Sequence, residues 1–519
     1  MHKNVLRILF VLELIVFGLV IFGIVPRTVA LYLTAAMVAF VIWAPVEDGL
    51  VFFIQSIPLF LALPLTNSFD NFNAWRIILL ALFSHWLVAR GILSRLTINL
   101  RQHQYIIGLS SLIVLAALSL IGAPDLAAGV KRIIYFANIA MVGIILYDLV
   151  RQNKDFGHRI IQALRVPAVI VITVGFLQVI STYLIDIYQF MRLWGEGIQC
   201  NQFGEQWCYI AVHLGNTWLA YFGEQLSLRV FSLFPDSHSF PQFVLLTIPA
   251  LLTYGISNII SSPERLDRFK TLAKTRGKLG ILWVPAAFLM AILSGTRGIW
   301  AASVGVVIIF IVVNYLLIRW RASTAHKNLF RFTSSFVIIF FMLFSVAYPI
   351  FTSPQFLLSK GDFGLFRNRI RSIIDFGETS NSQRIEIWRK SIDSIKQHPF
   401  LGVGIGNFPV VLGEDIFLAK AGSSAHNVYL QIAAEMGIPA LLISIWLLVM
   451  FFKQLLRGYI NEHDPKYMAF IAASFLFVPW VLIYSLTDVA LFDERAFLMF
   501  VAVVTLLAAV TSHNSAENE

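Results

Sequence analysis

The chain has 519 residues, of which 58% are hydrophobic and only 13% charged, with a formal net charge of +10 and a mean hydropathy of +0.77. Soluble domains carry about 25% charged residues, so a string of soluble domains is excluded, and the long apolar runs point to an all-α polytopic integral membrane protein. The positive charge could serve nucleic acid, but its placement follows membrane topology, so membrane lipids and no nucleic acid are the expected surroundings.

A span needs about 20 mostly apolar residues. Such runs lie near 6–25, 28–44, 49–65, 75–91, 105–122, 132–150, 166–187, 240–257, 279–294, 298–317, 332–351, 437–452, 467–486 and 495–511. They predict about 12–14 transmembrane helices. The first run follows His2, Lys3 and Arg7 and is not trailed by a small-residue cleavage site, so it reads as a retained helix. The first three runs are separated only by Pro26-Arg27 and by Pro45 to Gly49, which leaves little chain for crossing loops.

Five connectors are basic: Arg90, Arg95 and Arg101; Arg151 to Arg165; Arg265 to Lys278; Arg319 to Arg331; and Lys453 to Lys466. All five fall on one side of the predicted spans, which is expected to be cytoplasmic. The other side, expected to be periplasmic in a bacterial inner membrane, holds the turn Gly122 to Arg132, the loop 188–239, the link Ser294-Gly295-Thr296-Arg297-Gly298, the large loop 352–435 and the link Thr487 to Arg495. The chain then divides into an N-terminal transmembrane bundle, 1–228, with the outer loop 188–239; a module 229–456 containing the large loop; and C-terminal helices with a short tail, 457–519.

Cys200 and Cys208, the two cysteines of the chain, share one outer loop. An oxidising compartment favours a disulfide between them, with a free pair as the alternative, and no nearby His/Cys set completes a metal site. In the large loop, Gln383 to Gln397 has the pattern of an amphipathic helix, with Ile385, Trp388, Ile392 and Ile395 on one stripe, a capping box at Ser380 and Gln383, and Pro399 beyond its end. Leu401-Gly402-Val403-Gly404-Ile405-Gly406-Asn407 follows, either a tight turn or a weak phosphate cradle without the Lys-Ser/Thr of a nucleotide loop.

The loop closes on Ala425-His426-Asn427-Val428-Tyr429-Leu430-Gln431, directly before an apolar span. His426 is either a plain interfacial polar group or a base, since histidine titrates near neutral pH. Asn427 and Gln431 are placed to orient its ring. Arg132, Arg229, Arg297 and Arg384 lie on the outer side, against the positive-inside trend. Each alone could snorkel to the interface; together they suit a polyanion, because guanidinium forks match phosphate oxygens.

These residues resemble a known pattern. Ser294-Gly295-Thr296-Arg297 is similar to the Ser-Gly-Ser-Arg link of the O-antigen ligase and O-antigen polymerase superfamily, with Thr296 for the commoner serine. The run from Arg384-Ile385-Glu386-Ile387-Trp388 through His398-Pro399-Phe400-Leu401-Gly402 to Ala425-His426-Asn427 and Glu435-Met436-Gly437 resembles that superfamily's C-terminal module, with Pro439 where glycine is common. Arg229 before Pro235-Asp236 is similar to its earlier arginine segment. The resemblance implies a metal-independent, cofactor-free membrane glycosyltransferase with a GT-C-like fold. Its donor would be a glycan on undecaprenyl diphosphate. Its acceptor would be lipid A–core in a ligase, or another lipid-linked repeat in a polymerase. His426 would be the base, Arg229 and Arg297 would hold the diphosphate, and Arg384, Arg132, Asn427 and Gln431 would contact substrate. A lipid-linked oligosaccharide transporter is the rival class, but it should place ionisable residues near the bilayer midplane rather than at the outer ends of the spans.

Overall fold

The computed structural model describes residues 2–65, 72–90, 104–213, 218–222, 225–260, 278–351, 353, 355–356, 379–413 and 424–516. The N-terminal part runs α1 (His2–Ile21), α2 (Val29–Trp43), α3 (Val46–Ser56), β1 (Ala62–Leu63), β2 (Phe72–Asn73), α4 (Ala74–Arg90), α5 (Gln104–Leu118), α6 (Leu126–Gln152) and α7 (Lys154–Ser181). A segment of short helices follows: α8 (Ile187–Phe190), a π-helical stretch Met191–Gln199, α9 (Cys200–Phe203) and α10 (Glu205–His213). The hairpin of β3 (Leu219–Phe222) and β4 (Gln225–Leu228) leads into α11 (Ser239–Ile260). Beyond it come α12 (Lys278–Leu293), α13 (Arg297–Arg319), α14 (Thr324–Phe351), α15 (Thr379–Gln397), α16 (Val428–Ile460), α17 (Pro465–Tyr484) and α18 (Glu494–Ala516).

The chain is an all-α polytopic membrane protein. Nine of the described helices are long and apolar enough to cross a bilayer, and Val29–Trp43, Gln104–Leu118 and Gly280–Leu293 are shorter apolar helices. The third apolar run departs from expectation. Helix α3 covers only 11 residues and gives way to a single 3-10 turn, Ile57–Leu59, because Pro58 cannot donate to a helix and its ring clashes with the preceding turn. The chain then pairs Ala62 with Asn73 and Leu63 with Phe72 in a two-residue antiparallel ladder. A second ladder, from Leu219↔Leu228 to Phe222↔Gln225, also lies outside what hydropathy alone predicts.

Two helices form the centre. In their most apolar stretches, 94% of α11 and 89% of α17 is buried, against 28% of α13. Helix α13 turns Val304, Ile308, Ile311 and Tyr315 outward, an apolar stripe that fits contact with lipid tails. The helix starts are locally encoded: Asp125 Oδ1 accepts from Ala128 N–H, Asn153 caps α7, and Asp464 caps α17 ahead of Pro465 at the first helical position.

Helices α7, α11 and α17 carry a polar cluster at each end. At one end His158 Nε2 meets Asp464 Oδ2 at 2.9 Å, and Tyr254 donates to the His158 carbonyl. Burial alone would raise the Asp464 pKa, but the hydrogen bond from His158 and those from the Lys466 and Tyr467 amides hold it down at about 2. The other end gathers Gln178, Ser232, His238 and Tyr484.

Candidate active site

The segment Leu228 to Ser239 is pinned along its length. Arg229 N–H donates to the Trp218 carbonyl, Val230 N–H to Leu293, and the Gln178 amide brackets Phe231 and Ser232 from both sides. Asp236 Oδ1 accepts from the His238 and Ser239 amides at 2.7 Å each, which caps α11 and turns His238 back over its start. Thr296 donates its hydroxyl to the Ser237 carbonyl at 2.7 Å, which ties the Ser294–Gly298 link to this segment. Gly298 lies so close to Tyr484 and Thr487 that a β-carbon there would sit 2.6 Å from each. Arg297 therefore opens α13 beside the end of α17.

Arg229 is partly buried. Its Nη1 points at His238 Nε2 (3.0 Å) and at Ser237 Oγ (3.3 Å). Burial pushes its guanidinium pKa down to about 10, Arg297 and Arg384 push the same way, and Tyr484 and Asp488 oppose them. Three arginines thus act electrostatically on one place, as a site for a dense anion requires.

His238 Nδ1 lies 3.0 Å from Tyr484 Oη and 3.2 Å from Asp488 Oδ2. The same Asp488 oxygen is 3.8 Å from His426 Nδ1 and 4.0 Å from Arg384 Nη2. Burial alone would raise the Asp488 carboxyl, but His238 and His426 beside it outweigh that and hold it well below the usual carboxylate range. The side chain of His426 is 38% exposed while Asp488 is almost covered, so the imidazole can meet a ligand and the carboxylate cannot.

His426 itself has φ 45°, in the left-handed region. A non-glycine residue held there costs on the order of 1–3 kcal/mol and persists only where its surroundings force it. Trp388 Nε1 donates to the Ala425 carbonyl at 3.0 Å, Gln431 Oε1 accepts from Ala425 N–H at 2.8 Å, and Val428 N–H donates to the Ser485 carbonyl at 2.8 Å. Asn427 Oδ1 caps α16 through the Tyr429 and Leu430 amides. Asn427 Oδ1 and both polar atoms of the Gln431 amide thus engage backbone and Glu435 rather than the His426 ring.

The structure brings together Arg229, His426, Arg384 and, by its helix start, Arg297. Arg132 stands elsewhere. Its guanidinium lies over the rings of Tyr135 and Phe136 at 5.7 Å and of Phe492 at 5.9 Å, in a small pocket with Gln431 and Glu435. Cys200 and Cys208 are bonded around Gly204, away from this cluster in sequence and between α9 and α10.

The glycine-rich turn proves to be a packing device. Val403 N–H donates to the Ala434 carbonyl, Gly404 N–H to Glu435 and Ile405 N–H to Ser119 Oγ, so these amides already have partners. Helix α16 breaks at Gly437 (φ 83°), where a β-carbon would lie 2.2 Å from the Phe400 carbonyl oxygen, and Pro439 follows in the first turn of the resumed helix. Helix α15 likewise differs from its predicted stripe. Ile387 and Ile395 pack against Phe408 and Ala434, while Ile385 and Ile392 are each 45% exposed. The capping box read at Ser380 lies outside the described side chains.

Sequence reasoning missed His238, Tyr484 and Asp488. His238 lies two residues past the Pro235-Asp236 pair, and Asp488 was within a link noted only for its side of the membrane. Residues 282–445 match a family model described as O-antigen ligase. That stretch contains Arg297, Arg384 and His426, and stops short of Asp488. No curated protein matches the chain.

Proposed function

We propose that this chain, whose residues 282–445 match a family model described as O-antigen ligase, is a bacterial membrane protein that moves a glycan from undecaprenyl diphosphate to a hydroxyl of lipid A–core at the periplasmic face of the inner membrane. The observation that carries this reading is the approach of a half-exposed histidine, His426, to within 3.8 Å of a buried carboxylate, Asp488, beside the partly buried Arg229.

In this scheme the donor diphosphate lies against Arg229 and Arg297, with Arg384 at its edge. His426 Nδ1–H faces Asp488, which leaves Nε2 as the basic nitrogen toward the acceptor. The acceptor oxygen attacks the anomeric carbon from the face opposite the phosphate. The bond to the phosphate oxygen breaks, the diphosphate lipid leaves with the electron pair, and the acceptor proton passes to His426 Nε2. The anomeric centre inverts. The arginines stabilise charge that grows on the leaving oxygen, an effect strongest in a buried site. No step uses a metal or a cofactor.

The test is transfer by purified protein from an undecaprenyl-diphosphate-linked repeat, with and without lipid A–core and with and without EDTA, resolved on a gel. A product that requires lipid A–core and survives EDTA supports the reading. A ladder growing on the lipid carrier alone replaces ligase with polymerase. No transfer in either arm returns the chain to the transporter class, and loss with EDTA overturns the metal-free scheme.

A further inference from the structure

His238 has no role in the scheme above, yet its three partners, Arg229, Tyr484 and Asp488, join the two halves of that scheme. Arginine can only donate, so the 3.0 Å contact from Arg229 Nη1 requires a lone pair on His238 Nε2. The ring proton therefore sits on Nδ1, where it faces Asp488 Oδ2 (3.2 Å) and Tyr484 Oη (3.0 Å). This tautomer follows from the hydrogen-bond pattern. One imidazole thus accepts from the donor-side arginine and donates to the carboxylate that faces the base. The geometry joins two distant stretches of chain: the segment before α11, which carries Arg229 and His238, and the end of α17 with the link after it, which carry Tyr484 and Asp488.

We infer that His238 is a positioning residue that couples the diphosphate end of the site to His426, aiming Arg229 with Nε2 and holding Asp488 toward His426 with Nδ1–H. The inference rests on the reading of Arg229 and His426 given above. Without the Nδ1–H donor, Asp488 Oδ2 loses its short contact and Arg384, 4.0 Å from the same oxygen, competes with His426 for it, while the Ala490 amide still holds Oδ1 at 2.9 Å. Without the Nε2 acceptor, the Arg229 guanidinium keeps, among the described residues, the longer contact to Ser237 Oγ at 3.3 Å.

The two functions can be separated by amides. His238→Asn places an amide N–H near the Nδ1 position and removes the acceptor for Arg229. His238→Gln places an amide oxygen near the Nε2 position and removes the donor to Asp488. The readouts are the Kd for undecaprenyl diphosphate and the rate of glycan transfer from an undecaprenyl-diphosphate-linked oligosaccharide at saturating donor, both on purified full-length protein. His238→Asn should weaken binding about tenfold and lower the saturated rate as well, because Arg229 also stabilises the leaving oxygen, whereas His238→Gln should lower the saturated rate about tenfold with the Kd within about twofold of wild type, since one well-placed hydrogen bond is worth roughly that factor. Equal losses of both quantities in both variants would make His238 a packing residue and overturn the coupling. So would wild-type behaviour of both. If His426→Ala still transfers at the wild-type rate, the base assignment fails, whatever the His238 pair shows. Wild-type protein that neither binds nor transfers defeats the parent reading and this inference with it.

Discussion

Trp388 donates its indole N–H to the carbonyl of Ala425 at 3.0 Å, so a helix in the large loop holds the residue immediately before His426. The left-handed backbone at His426 depends on such restraints. Trp388→Phe keeps most of the ring and removes the donor. Its expected effect is a fall in transfer rate of about five- to tenfold with the fold intact, the size of one lost hydrogen bond. Transfer assays beside thermal melting in detergent would check it, and an unchanged rate would show that Gln431 and Val428 hold the loop without Trp388.

His426→Ala should reduce transfer by about a thousandfold or more while the protein still expresses and melts normally, since a positioned base contributes roughly that much. A rate near wild type would remove the imidazole from proton transfer.

Arg297→Lys keeps the charge and loses the planar fork. If the fork grips two phosphate oxygens, the rate should fall about tenfold to a hundredfold. A nearly normal turnover would mean that charge alone serves at the start of α13.

Gly437→Ala tests the break in α16. The backbone there has φ 83°, and the added carbon would press on the Phe400 carbonyl. A loss of stability of about 2 kcal/mol or more is expected, read as a lower melting temperature and poor yield. Wild-type melting would show that the turn at Phe400 can yield.

Asp493 supplies a pH dependence. Burial pushes its carboxyl up to about 7, with Arg495 opposing, from an ordinary value of 3.8. The folded state therefore keeps a proton that the unfolded state loses, and stability should fall as pH rises from about 4 to about 7, with the full penalty above that window. Asp493→Asn retains an oxygen for the Arg495 and Ala496 amides that Asp493 now accepts. The variant should melt higher than wild type at pH 8, with the gain shrinking as pH drops toward 4. A gain that is the same at both pH values would argue against a buried proton on Asp493.

The spans were legible because burial in lipid demands long apolar helices, and that demand is written in local composition. The third run failed because its hydropathy continues through Pro58 while the helix cannot. The residues Arg229, Arg297, Arg384 and His426 were legible as charged or titratable groups standing against the topology trend. Their connection was not. Asp488 is a single acid in a short link, and its meaning comes only from His238 and His426, which the fold carries to it from two other places in the chain. The exposed Ile385 and Ile392 show the converse: a helical stripe tells that one face is covered, but which face is settled by the Phe408 and Ala434 surface that receives it.

The burial of α11 and α17 has a consequence for the membrane the protein lives in. Bilayers differ in thickness, and helices in contact with lipid answer by tilting at a cost of fractions of a kcal/mol per Å. The lipid-facing α13 can make that adjustment, whereas α11 and α17 touch mostly protein. His238 rides on the start of one sheltered helix and Tyr484 on the end of the other. The spacing of His238 and Tyr484 is thereby insulated from bilayer thickness, whereas Arg297 opens α13 and His426 precedes α16, each 28% buried in its most apolar stretch, so a change in lipid composition should move those two before it moves His238 against Asp488.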